Sequence, residues 1–307
     1  MARGGGPRAE ATVLSVAAAF AWSTYYIFVL ALTPGTTPAA VLTYPFVFGG
    51  LAYAGWVVVT GDGAAFLRVW REPAAYLRTA LLIGMQLSVL AATYLTGPVD
   101  ASLLSLIGDV VATPLIVAFL LGAHTEHVRT PIFAFGLVLS LAGGAMTIAG
   151  GGGLGAVHDW GWVVVPVVPL TVAFYFLLTA RANERAPPSA VVAQSMLAAA
   201  IGTAALSFAI PGGYAGLVVD PGLPLLLLVA TGVSSFFLAP AIYFRAIRRA
   251  GLIIPPMLMT GIPVFTLLLG ALVLHIGLPL LGVLGIPIAI VGALFTLRGE
   301  SEPEAKK

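Results

Sequence analysis

The sequence predicts an all-α integral membrane protein of ten transmembrane helices, arranged as two five-helix repeats of inverted topology. Three observations carry that reading: very little charge, ten apolar stretches of bilayer length, and self-similarity at a shift of 149 residues. Of 307 residues, 60% are hydrophobic and 8% are charged, whereas a soluble domain carries about 25% charge. A mean hydropathy of +1.05 leaves too little polar surface to cover a globule, which excludes a soluble enzyme. There is no cysteine, so disulfides, Cys-ligated zinc and iron–sulfur clusters are excluded. No metal or cofactor is expected. The net charge is +2 with the basic residues dispersed, and nothing points to nucleic acid.

A bilayer core needs about 20 apolar residues per helix. After a short tail, 1–10, span 1 covers 11–32; its apolar run of about 22 residues is longer than a signal-peptide core. Span 2 covers 37–60, after Thr33-Pro34-Gly35, and span 3 covers 74–95, after Gly61-Asp62-Gly63. Span 4 (100–121) follows Gly97-Pro98, and span 5 (129–150) ends in a glycine run. Spans 6 and 7, 160–182 and 188–210, are divided by Pro187-Pro188. Spans 8, 9 and 10 cover 223–248, 251–274 and 277–297, before a tail at 298–307. Glycine and proline punctuate these boundaries because neither continues a helix well. The first repeat is thus 11–150 and the second 160–297.

Charge tests the parse independently. All 14 basic residues, from Arg3 and Arg8 through Arg68, Arg71, Arg78, Arg129, Arg181, Arg185, Arg245, Arg248 and Arg249 to Arg298, Lys306 and Lys307, fall in or beside the tails and connections of one side. The positive-inside rule then places both termini in the cytoplasm. The opposite connections carry Asp100, Asp159, Asp220, His158 and His275. The 149-residue shift aligns Tyr94 with Tyr243, Pro114 with Pro263, Gly136 with Gly285 and Gly143 with Gly292. Five spans per half is an odd number, so the second half is inverted. Inverted repeats permit alternating access to a central site.

Ala21-Trp22-Ser23 in span 1, the Ala-to-Pro spacing of spans 4 and 9, and the glycine-rich spans 5 and 10 resemble the drug/metabolite transporter superfamily in its ten-helix form with two EamA-like repeats. The resemblance implies a secondary transporter, an exporter in the plasma (inner) membrane, with spans 1, 3, 4, 6, 8 and 9 around a central cavity. Its members carry amino acids, metabolites and drugs, and some carry nucleotide-sugars or sugar-phosphates. The sequence suggests no buried Lys or Arg, so a neutral, zwitterionic or cationic solute is expected instead of an anion. The expected partners are that solute and the bilayer, with the chain a monomer or weak homo-oligomer.

Asp109 is the one acidic residue expected deep in a span, sharing a helical face with Ser102, Ser105 and Thr113. An intramembrane carboxylate normally faces a wet cavity or a partner. Three roles remain open for it: proton-coupling acid, ligand for a substrate amine, or protonated carboxyl bonded to nearby hydroxyls. Trp22, Tyr25 and Tyr175 are either the walls of a cavity for a flat or apolar solute or ordinary helix packing. Gln86, Ser234, Ser235 and Thr260 are polar at depth, as cavity residues or as helix-to-helix hydrogen bonds. Tyr94 and Tyr243 are candidate gates at opposite ends, or interfacial anchors. Two rival classes exist. A channel or lipid scramblase would show steady flux without saturation. An intramembrane hydrolase using Gly232-Val233-Ser234 lacks a base, since all four histidines fall in connections.

Overall fold

The computed structural model describes residues 7–32, 36–108, 112, 115–116, 129–150, 161–209, 213–250, 254–275, 277 and 280–298. Spans 1 and 2 are α1 (Pro7–Leu32) and α2 (Pro38–Thr60). A short helix absent from the sequence reading, α3 (Gly63–Trp70), precedes span 3, α4 (Pro73–Thr96). Span 4 begins as α5 (Pro98–Ile107); spans 5, 6 and 7 are α6 (Pro131–Gly150), α7 (Gly161–Asn183) and α8 (Pro188–Ala209). Span 8 is composite: α9 (Leu223–Thr231), a π-helical segment (Gly232–Leu238) and α10 (Ala239–Ala250). Span 9 is α11 (Ile254–Met259) with α12 (Ile262–Val273), and span 10 is α13 (Leu280–Arg298). Among the described residues there is no strand. The protein is an all-α membrane protein.

Proline sets many of the starts. α2, α4, α5, α6 and α8 each open on one, at Pro38, Pro73, Pro98, Pro131 and Pro188, where the missing N–H has no intrahelical partner to lose. α2 is capped at both ends. The Thr37 side chain accepts from the Ala40 N–H, and Gly61 at φ 75° closes the other end. There the Asp62 N–H donates to the Val57 carbonyl and the Gly61 N–H to the Val58 carbonyl, the pairing of a left-handed C-terminal cap.

The bundle carries its polarity inward. Val59, Phe208 and Leu272 lie on the outside, while Ser23, Gln194 and Thr296 are buried. Lipid, not water, is the solvent such a surface suits. Many buried hydroxyls donate to carbonyls one turn back in their own helix, as Ser15 does to Ala11 and Thr203 to Ala199. Each donor is thereby satisfied without a partner from another helix.

Span contacts come in reciprocal pairs. Span 1 packs on span 8 as span 6 packs on span 3; spans 2 and 7, 4 and 9, and 5 and 10 pack on their own counterparts. The seam between α6 and α13 shows the symmetry residue by residue. A Cβ on Gly136 would lie 2.7 Å from the Gly292 carbonyl, and one on Gly143 would lie 2.6 Å from that of Gly285. Since Gly285 and Gly292 are the repeat counterparts of Gly136 and Gly143, the two contacts exchange under the repeat. Thr147 beside Gly285 and Thr296 beside Gly136 form a second exchanging pair. Ser140 donates to the carbonyl of its own counterpart, Ala289, at 3.3 Å, and so sits beside the two-fold axis. The paired contacts make α6 and α13 antiparallel, as inverted repeats require.

Outside the membrane-spanning segments, Asp62 ties the ends of spans 2 and 7 together. Its carboxylate accepts from Ser189 Oγ at 2.6 Å and from Thr60 Oγ1 at 2.7 Å. These bonds, Ser189's first, hold its pKa below the ordinary carboxylate value. A depressed folded-state pKa contributes stability that is complete above the unfolded value, about 4, and is lost as pH falls through the folded value. Thermal stability in detergent should therefore decline more steeply below about pH 4 in the native protein than in Asp62→Asn. Parallel acid profiles would rule out this linkage.

Candidate functional site

A cavity of about 100 Å³ lies midway along the bundle. Its walls come from spans 1, 3, 4, 6, 8 and 9, and its aromatic lining is Trp22, Tyr25, Tyr26, Phe176 and Phe236. The polar lining is Gln86, Ser105 and Ser235. Tyr26 donates to Ser105 Oγ at 3.0 Å, joining spans 1 and 4 across the cavity wall. The buried Gln86 Oε1 has no hydrogen-bond partner among the described residues. Drug-sized ligands occupy pockets of about 300–1,000 Å³, so this cavity is smaller than a drug-sized site.

Sequence reasoning named Trp22, Tyr25, Gln86, Ser105 and Ser235, and the structure gathers all five around the cavity. Tyr175, Ser234 and Thr260 do not line it; their chain neighbours Phe176, Ser235 and Met259 do. In span 8 the cause is visible. Pro240 has no N–H, and its ring crowds the carbonyl four residues back. The helix ahead of it widens to π geometry, with the Ala239 N–H reaching the Ser234 carbonyl. A π turn takes up extra residue length, so a 3.6-residue period misaims side chains along this span. Ser234 and Ser235 both approach Thr24 Oγ1, at 3.1 and 3.2 Å, and Ser235 donates to the Ala21 carbonyl at 2.9 Å. Tyr175 instead packs its ring against Phe176 at 5.5 Å. Asp109, with Thr113 and Pro114, lies outside the described residues.

Tyr243 meets Trp22 edge to face, with centroids 5.2 Å apart, and joins Ala18, Ala19 and Met259 in a buried cluster. This cluster lies on the side of the cavity toward the charged end of spans 1 and 8, where Glu10 pairs with Arg245 and Arg249 at 3.0 and 3.7 Å. Tyr94, two turns beyond Gln86 on α4, packs against the main hydrophobic core.

Two polar residues placed in or beside connections are buried instead. Arg78, in the second turn of α4, is 1% exposed. Its Nη2 donates to Gln194 Oε1 at 2.6 Å and its Nε to Ser195 Oγ at 2.9 Å, both on α8. Gln194 in turn donates to Thr79 Oγ1 at 3.3 Å. This corrects the expectation that no basic residue is buried within a span. Arg78 does not line the cavity, and among the described residues it forms no ion pair. Asp100 is likewise buried, in the first turn of α5.

Residues 159–298 match the EamA-like transporter family. No curated protein matches the chain in sequence. A protein of known crystal structure shares the fold, with a TM-score of 0.69 and 21% identity over 94% of this chain and 96% of that one. The family match thus covers the second repeat, and the shared fold covers nearly the whole chain.

Proposed function

We propose that the protein exports a small neutral, zwitterionic or cationic metabolite by alternating access through the central cavity, coupled to protons by Asp109. The observation that carries this reading is the mid-bundle cavity walled by spans from both halves of a reciprocal fold. Such halves can rock about a shared site while exchanging roles. The aromatic lining favours an apolar or flat body, and Gln86, Ser105 and Ser235 offer neutral polar contacts to a substrate. Arg78 leaves the preference against anions in place, because Gln194 and Ser195 engage its guanidinium away from the cavity. In this reading both termini face the cytoplasm, the membrane is the plasma (inner) membrane, and Tyr243 with Trp22 forms the cytoplasmic gate opposite Tyr94.

Comparing metabolites of expressing and null cells would name the substrate, and proteoliposomes then test the mechanism. Saturable counterflow is expected; steady, unsaturable downhill flux would favour a channel or scramblase. Asp109→Asn should abolish uphill transport driven by a pH gradient while sparing solute exchange, which needs no net proton movement. Joint loss of exchange and affinity would make Asp109 a substrate ligand. Unchanged uphill transport would remove it from the mechanism.

A further inference from the structure

A second and larger cavity, about 680 Å³, opens between spans 1, 2, 7 and 8 at the end of the bundle where the arginines of α10 lie. It is distinct from the central cavity. Phe236 faces the central cavity and its neighbour Phe237 faces this cleft, so span 8 itself is the partition. One wall is basic, with Arg245, Arg248 and Arg249. The rim carries Trp56 and Leu238, 49% and 44% exposed on the apolar outer surface of the bundle. Glu10 is engaged by Arg245 and Arg249, and Asp62 by Ser189 and Thr60. Arg248 has no acidic partner among the described residues.

We propose that this cleft binds an anionic phospholipid from the adjoining leaflet. The phosphate rests against the arginines of α10, and an acyl chain leaves past Trp56 and Leu238. Basic pockets between transmembrane helices suit anionic headgroups, because the guanidinium fork presents paired donors to phosphate oxygens. The apolar rim selects a lipid over a free phosphate, since it adds nothing to the binding of a soluble ion. Glu10 competes with the headgroup for Arg245 and Arg249, which gives the site a residue whose removal strengthens binding.

The full chain, purified in neutral detergent, is titrated with phosphatidylglycerol, with phosphatidylcholine of the same chains, and with glycerol 3-phosphate, and thermal stability is followed. Phosphatidylglycerol alone should stabilise the protein in a saturable manner. Arg245→Gln, Arg248→Gln and Arg249→Gln should each weaken its affinity by about 5-fold. Glu10→Gln should tighten it, an outcome that misfolding cannot mimic. Trp56→Ala should weaken the lipid's effect. The proposal is overturned if Arg68→Gln with Arg71→Gln, basic positions outside the cleft, weakens binding as much as the α10 variants. Equal stabilisation by phosphatidylcholine or by glycerol 3-phosphate also overturns it, as does an unchanged response in Glu10→Gln.

Discussion

Leucine in place of Gly143 is expected to force the bundle apart along its symmetric seam, with a large loss of stability. A Cβ at that position falls onto the Ala289 backbone nitrogen and within 2.6 Å of the Gly285 carbonyl. Neither is a flexible side-chain end that can swing away, so α6 and α13 must separate along their length. Overpacking typically costs about 1–3 kcal/mol, and an obstruction made of backbone belongs at the upper end of that range. Helix association in lipid depends on such close approach, because apolar surface gains nothing by leaving the acyl chains. Gly292→Leu should be equally damaging, since Gly292 is the repeat counterpart of Gly143 and meets Ser140 and the Gly136 carbonyl. Gly84→Leu is the control, as nothing lies within 4 Å of a Cβ there. Thermal unfolding in detergent and the yield of folded protein measure all three. Near-native stability of Gly143→Leu, or a large loss in Gly84→Leu, would contradict the packing described.

The second large effect concerns Arg78, and its sign depends on which partner is removed. Gln194→Leu deletes the acceptor at 2.6 Å and leaves a guanidinium buried with Ser195 as its remaining hydrogen-bond partner described on α8. Leaving a buried charged group short of a hydrogen-bond partner costs more than leaving a neutral one so, for which the penalty is about 1–3 kcal/mol. Arg78→Met removes the charge and keeps most of the volume. Its cost is the unmet hydrogen bonding of Gln194, about 1–3 kcal/mol, so it should be the milder change. The double variant should be more stable than Gln194→Leu alone, because no charge then remains to be solvated. Unfolding midpoints for the three proteins decide the matter. A double variant less stable than Gln194→Leu would show that Arg78 has another essential partner.

Much of the fold was legible because its determinants are local. Proline at 38, 73, 98, 131 and 188 marks helix starts that need no tertiary information. The lack of charge identifies the solvent, and the paired glycines locate the seam. Helix α3 was missed because eight residues, Gly63–Trp70, fall well short of a span and were read as connection. In the site, Trp22, Tyr25, Gln86 and Ser105 stood out as aromatic or polar residues at depth. Tyr26, Phe176 and Phe236 did not, because aromatic residues beside other aromatic residues carry no facing signal of their own. Of the two serines named in span 8, Ser235 lines the cavity and Ser234 does not, because the widening ahead of Pro240 changes the period. Arg78 escaped for a different reason. A cation five residues inside a helix end reads as interfacial, and only the packing of α4 on α8 supplies Gln194 as its acceptor.

The seam between α6 and α13 also bears on ancestry. Its contacts are those that two identical half-length chains would make if inserted in opposite orientations, each presenting the same glycine stripe to the other. An isologous surface of this kind is complete in a pair of copies and needs no linker to form. The present chain thus contains, fused into one polypeptide, the interface of an antiparallel homodimer. Ser140 against Ala289 marks where the two halves differ at the axis itself: one carries a hydroxyl, and the other presents the carbonyl that accepts from it.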